Sequence, residues 1–148
     1  MTLLPRGHLL VDRQIRDQFG QALLASDPDF PLSAAQVQPA SLDLRLGPVA
    51  HRMRAGFLPG VVPLETRIER LSTGTVCLTG EGGVLERGLV YLVPLEEELA
   101  LPAGIRARFN PRSSTGRCDL FTRILACGHP RFDETPEGYR GKLWMEVS

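Results

Sequence analysis

The apolar positions follow a helical rhythm at the start of the chain and a strand rhythm afterwards. Ile15, Phe19 and Leu23 recur at helical spacing and Asp12 stands where an N-cap would, so a helix is expected to begin within residues 10–16. Residues 25–39 hold three prolines and two aspartates, which predicts an irregular crossing. From Ser41 the pattern alternates: Leu42, Leu44 and Leu46 fall on one face of a strand, Asp43 and Arg45 on the other. Further strands are expected at 75–78, 88–93, 105–109, 121–126 and 142–147, separated by turn signals such as Gly80-Glu81-Gly82-Gly83 and Pro136-Glu137-Gly138. Residues 66–71 fit a helical turn or an edge strand. Many short strands behind one leading helix imply a mainly-β barrel or jelly roll, expected as a single domain over 1–148.

Composition narrows the function classes. At 148 residues the chain can bury roughly two-thirds of its unfolded surface. Its 17 basic and 17 acidic residues cancel, which argues against a general nucleic-acid binder but not against a small anionic ligand. No apolar run approaches bilayer-spanning length, and the first residues lack the pattern of a signal peptide. Three cysteines without framework spacing fit a reduced, cytoplasmic setting. The sequence stops at Ser148 directly after a predicted strand. An unpaired edge is therefore expected there, in a truncated product, in a fragment, or under the cover of another subunit.

Two segments carry candidate chemistry. In Arg112-Ser113-Ser114-Thr115-Gly116-Arg117 two arginines flank three hydroxyl residues and a glycine. Such a turn can bind an anion through hydroxyls, free N–H groups and the forked donors of arginine; it can equally be a polar surface turn. It is not a P-loop, since no glycine-rich run ends in Lys-Ser or Lys-Thr. In the last strand, Leu143, Met145 and Val147 share one face, and Lys142, Trp144 and Glu146 the other. A carboxylate two residues from a tryptophan can sit in a partly apolar pocket suited to general acid/base work, or it can simply face solvent on a half-buried strand. His8, His51 and His129 are isolated and no Cys-x-x-Cys occurs, so a protein-bound zinc of the nucleobase-deaminase type is not expected.

Taken together, Gln38-Pro39-Ala40-Ser41-Leu42-Asp43-Leu44-Arg45-Leu46, Arg112-Ser113-Ser114-Thr115-Gly116-Arg117 and Gly138-Tyr139-Arg140-Gly141 followed by Met145-Glu146 resemble the dCTP deaminase branch of the dUTPase-like (β-clip) superfamily, in order and over most of the chain. The resemblance implies a distorted β-barrel or jelly-roll subunit in a homotrimer with sites between subunits, and hydrolysis of dCTP to dUTP and ammonia. It also implies Mg²⁺ carried on the substrate triphosphate, and dTTP as a candidate feedback ligand. By motif position, Glu146 matches the proton donor and acceptor, Ser113 the serine orienting water, and Arg117 its supporting arginine. Arg112, Ser113, Ser114, Thr115, Gly116 and Arg117 match the substrate-binding turn, and Trp144 and Met145 the main-chain contacts to the cytosine edge. The family aspartate that meets the deoxyribose falls at Pro136 here; Asp133, further back, is the candidate for that role. A dUTPase would place an aspartate just before the Tyr-Arg-Gly turn, where Glu137-Gly138 stands instead. A bifunctional enzyme and a non-catalytic nucleotide-binding module remain as alternatives.

Overall fold

The structure, a computed structural model, describes residues 7–58, 60 and 62–148. It is mainly β, with eight strands in antiparallel sheets and few helices, in agreement with the expected fold class. Helix α1 (Asp12–Arg16) is followed by β1 (Leu23–Ala25), a 3-10 turn (Ala34–Gln36), β2 (Val37–Gln38), β3 (Ser41–Leu42) and β4 (Val49–Met53). Then come α2 (Leu64–Leu71), β5 (Ser72–Cys77), β6 (Val90–Ala100), α3 (Ser113–Arg117), β7 (Thr122–Ala126) and β8 (Arg140–Val147). The main sheet runs β5-β4-β6-β8-β7, with β1 pairing the far half of β6; β2 and β3 form a separate pair.

Strand β6 is the spine. Its first half pairs with β4, its second half with β1, and its other edge with β8 along most of its length. The register with β8 shifts between Pro94 and Glu98, where proline has no N–H to donate and extra residues bulge out. One face of the sheet carries Tyr91, Val93, Leu95, Leu99, Ile124, Leu143 and Val147 into the main core. On the other face, α2 sends Leu64 and Ile68 against Met53, Leu92, Leu125 and Trp144.

Several elements depart from the sequence reading. The first helix ends at Arg16, and Asp12 is its first residue rather than its cap; Gln14 closes the entry by accepting from the Val11 N–H. Gly20 then turns at positive φ and Leu23 joins β1, because pairing with Leu99 overrides the helical spacing. The alternating Ser41-to-Leu46 segment pairs only at Ser41–Leu42, with Leu46 making one bridge to Leu95 and staying exposed. Residues 105–109 form no strand. Ile105, Ala107 and Phe109 do pack on the core, but their backbone bonds to residues 133–138 are interrupted where Asp133 adopts φ 60° and where the Thr135 hydroxyl accepts from Ala107. The ambiguous 66–71 segment is the helix α2, entered through Pro63. Strand β4 was not expected, and β6 continues well past residue 93 through Pro94 and three glutamates.

The expected unpaired edge at the end of the chain is also corrected. β8 lies between β6 and β7 with partners on both sides, and the edges belong to β5 and β7. The loop before β8 is pinned by Tyr139, whose hydroxyl donates to the Lys142 carbonyl and accepts from the Cys127 N–H. A Cβ at Gly141 would lie 3.2 Å from that hydroxyl, so this position needs glycine for space as well as for its φ of 144°.

The middle glutamate of β6, Glu97, is fully buried and points into the core side of the sheet. Its Oε1 accepts from Gln36 Nε2 and Arg45 Nε, both at 2.8 Å, and its Oε2 from the Arg45 N–H at 2.8 Å. Arg45 then spends its remaining donors on the carbonyls of Phe30 and Pro31. Arg45→Met keeps the aliphatic stem but strands a buried carboxylate. It is expected to cost about 3 kcal/mol, read as a lowered midpoint in urea denaturation.

Candidate active site

Glu146 sits on β8 directly opposite Leu92 of β6 and Arg123 of β7. Paired residues of adjacent strands share a face, so His51, Leu92, Glu146 and Arg123 form one row across β4, β6, β8 and β7. This is the face that α2 covers, and Trp144, two residues before Glu146, lies on it as well. The exposed-strand alternative for Glu146 is thereby settled: the residue is 4% exposed.

Burial of a carboxylate needs compensation, and Arg123 supplies it. Its Nε donates to Glu146 Oε1 at 3.0 Å and its Nη2 donates to the same oxygen. The guanidinium lies 4.1 Å from the centroid of the Phe132 ring and 5.6 Å from that of Phe121. The other oxygen, Oε2, has no hydrogen bond among the described residues and faces Gly56, where a Cβ would stand 2.8 Å away. A side chain at position 56 would therefore collide with that oxygen unless the carboxylate moved.

Trp144 is 7% exposed, its ring centroid 5.9 Å from that of His51, and its Nε1 is buried without a partner among the described residues. Met145 points to the opposite face and packs between the core clusters. Asp133 follows the Phe132 that stacks on Arg123. Its Oδ1 accepts from the Ile124 N–H at 2.8 Å, and its backbone N–H donates to Ile124 O. The Asp133 turn is thus fastened to β7 one residue beyond Arg123.

Residues Ser113, Ser114, Thr115, Gly116 and Arg117 form α3, with no residue buried. The hydroxyls of Ser113, Ser114 and Thr115 make no hydrogen bond among the described residues. Arg112, which precedes the helix, reaches Asp43 at 3.4 Å and so joins the second sequence motif to the first. No hydrogen bond or ion pair among the described residues links α3 to Glu146. The structure therefore groups Glu146, Trp144 and Asp133 around β7 and β8, and leaves the arginine-serine turn outside that group.

Arg123, Phe132, His51 and Gly56 were missed in the sequence. Arg123 left one trace: a lone charge in the apolar run of β7, which demands a partner once the strand is buried. His51 and Gly56 are visible only through strand register and the path of the loop after β4, and Phe132 only through the path of the loop between β7 and β8.

A mainly-β fold with a buried, arginine-held carboxylate on the penultimate residue of β8 is consistent with a protein of the dUTPase-like fold. The model of the 2'-deoxycytidine 5'-triphosphate deaminase (DCD) N-terminal domain matches residues 6–148, and the chain belongs to that family. It is 30% identical over 142 residues to a dCTP deaminase of Natronomonas pharaonis, covering 95% of this chain and 69% of the relative. It is 28% identical over 141 residues to a dUMP-forming dCTP deaminase of Methanothermobacter thermautotrophicus, covering 95% and 68%. The crystal structure of the 2'-deoxycytidine 5'-triphosphate deaminase from Agrobacterium tumefaciens superposes with a TM-score of 0.86 at 48% identity. That match covers 94% of this chain, which spans only 40% of the Agrobacterium chain.

Burial holds the His51 imidazole below its ordinary value of 6.5. The unfolded chain then takes up the proton first, so this contribution to stability is present above pH 6.5 and is lost as pH falls below it. Wild-type denaturation midpoints are expected to fall between about pH 7 and pH 5, with a smaller fall in His51→Gln. Equal slopes for the two proteins would exclude His51 as a contributor.

Proposed function

We propose that the chain carries the catalytic carboxylate and the triphosphate turn of a dCTP deaminase, converting dCTP and water to dUTP and ammonia. The observation that supports this most is Glu146, almost fully buried and ion-paired, with one oxygen free of hydrogen bonds among the described residues. A carboxylate in that state can take a proton from water as it attacks C4 of cytosine. It can then return protons to N3 and to the departing amine, without a metal to activate the water. The serine at 113 orients that water and Arg117 supports it, while the backbones of Trp144 and Met145 read the edge of the base. Asp133 meets the deoxyribose.

The turn from Arg112 to Arg117 takes the triphosphate. Its arginines, and its hydroxyls without partners among the described residues, suit phosphate oxygens. Magnesium would arrive on the triphosphate and neutralise part of its charge; the exposed, carboxylate-free turn fits a metal–nucleotide complex better than a resident ion. Because α3 lies on the surface and Glu146 inside, we propose that a complete site combines the turn of one subunit with the carboxylate of another in a homotrimer. No helix among the described residues is long and apolar enough to cross a membrane, and a cytoplasmic location accords with the reduced thiols expected of three unpaired cysteines. Control by dTTP would act through the same nucleotide site.

Relatives named as dUMP-forming match at similar identity, which favours one second reading: deamination followed by hydrolysis to dUMP. Product analysis after incubation with dCTP separates dUTP from dUMP, and release of neither rejects both. Glu146→Gln is expected to lower turnover at least about 100-fold while dCTP binding is retained. Arg117→Ala is expected to weaken nucleotide binding and turnover together, as measured by steady-state kinetics and calorimetry.

A further inference from the structure

The two oxygens of Glu146 are treated differently by the fold. Both donors of Arg123, Nε and Nη2, go to Oε1. Oε2 receives none among the described residues and is directed at the backbone of Gly56. Arg123 is itself restrained, since Phe132 lies against its guanidinium and the Asp133 turn that follows is tied to Ile124.

We infer that Arg123 is a positioning residue: it anchors Oε1 so that Oε2 alone, held close to Gly56, is left free as the oxygen that exchanges protons. This rests on the proposed deaminase reading for the chemistry, though the division between the two oxygens stands on the contacts themselves. An unanchored glutamate samples several rotamers, and its carboxylate turns about its last bond. Anchoring one oxygen fixes the direction of the other. Proton transfer requires hydrogen-bond reach, and a displacement of about 1 Å can cost roughly 100-fold in rate. Gly56 completes the device, because a Cβ there would stand 2.8 Å from Oε2 and push the carboxylate from its direction. A lysine at 123 keeps the charge but loses the two-donor grip that points the carboxylate.

The test compares wild type, Arg123→Lys and Arg123→Gln by ammonia release from dCTP, by dCTP binding and by crystal structures. Trp144, the only tryptophan, lies on the same face as Glu146, so its emission reports binding. Arg123→Gln is expected to lower kcat about 30-fold or more with dCTP affinity changed less than about 3-fold, Arg123→Lys recovering part of the loss. Its crystal structure is expected to show the Glu146 carboxylate turned away from its wild-type direction. A wild-type kcat in Arg123→Gln, an equal loss of binding and rate, or an unchanged Glu146 direction would each overturn the inference. If Arg123→Gln does not fold, Gly56→Ala decides: a methyl group against Oε2 must abolish most turnover, and full activity in the folded variant overturns the inference. Absence of ammonia release by wild type rejects the deaminase reading instead, and the direction of Glu146 in the crystals still decides the role of Arg123.

Discussion

Glu97 is the constraint around which the rest of the sheet is arranged. A continuous central strand through Pro94 and Glu96-Glu97-Glu98 places one carboxylate wholly inside the protein, where an uncompensated charge would be prohibitive. Compensation comes from far away in sequence, through the side chain of Gln36 and both the backbone and the guanidinium of Arg45. Satisfying Glu97 therefore fixes the 3-10 turn and the segment after β3, and through the Phe30 and Pro31 carbonyls it also ties down the irregular crossing. The shift in register between Pro94 and Glu98 is the local cost of passing the proline and the acidic run through a paired strand.

The second buried carboxylate follows the same rule with a different result. Glu97 has both oxygens bonded and the fold as its whole purpose. Glu146 has its Oε1 bonded twice and its Oε2 left open toward Gly56. Burial and an arginine partner are common to both, so neither marks a reactive group. The difference lies in the number of satisfied lone pairs, and it is this difference on which the proposed role of Glu146 in proton exchange rests.

The strand alternation in residues 142–147 and the run at 121–126 were legible because those segments are short, bounded by turn residues and buried in register. The face assignments of Trp144 and Glu146 followed directly. β4 was hidden because His51 and Arg52 break its apolar pattern: one lies in the mixed row with Glu146 and the other on the opposite face. Residues 105–109 misled for the converse reason. Their alternation reports which side chains are buried, but pairing was decided by a positive φ at Asp133 and a threonine hydroxyl in place of a carbonyl. The unpaired edge expected at Ser148 failed because position in the chain says nothing of position in the sheet. Of the site, alternation alone put Trp144 and Glu146 on one face of β8, and the register agrees. Arg123 was not, because its meaning depends on being opposite Glu146, a fact of register between two strands joined by a long loop.

A base that exchanges protons and a turn that receives a triphosphate require opposite surroundings. The first works best away from bulk water, where its partners are fixed and unscreened; the second must remain open to a highly charged ligand and its metal. On the proposed reading, both needs fall within a few residues of β7. α3 stands exposed just before the strand, and the strand then carries Arg123 inward to Glu146. Phe121 bonds Ser148 through both backbone groups at the point of entry, so the passage from surface to interior is held at the end of β8 itself. The same strand pairing that buries Glu146 thereby also sets where α3 emerges on the surface.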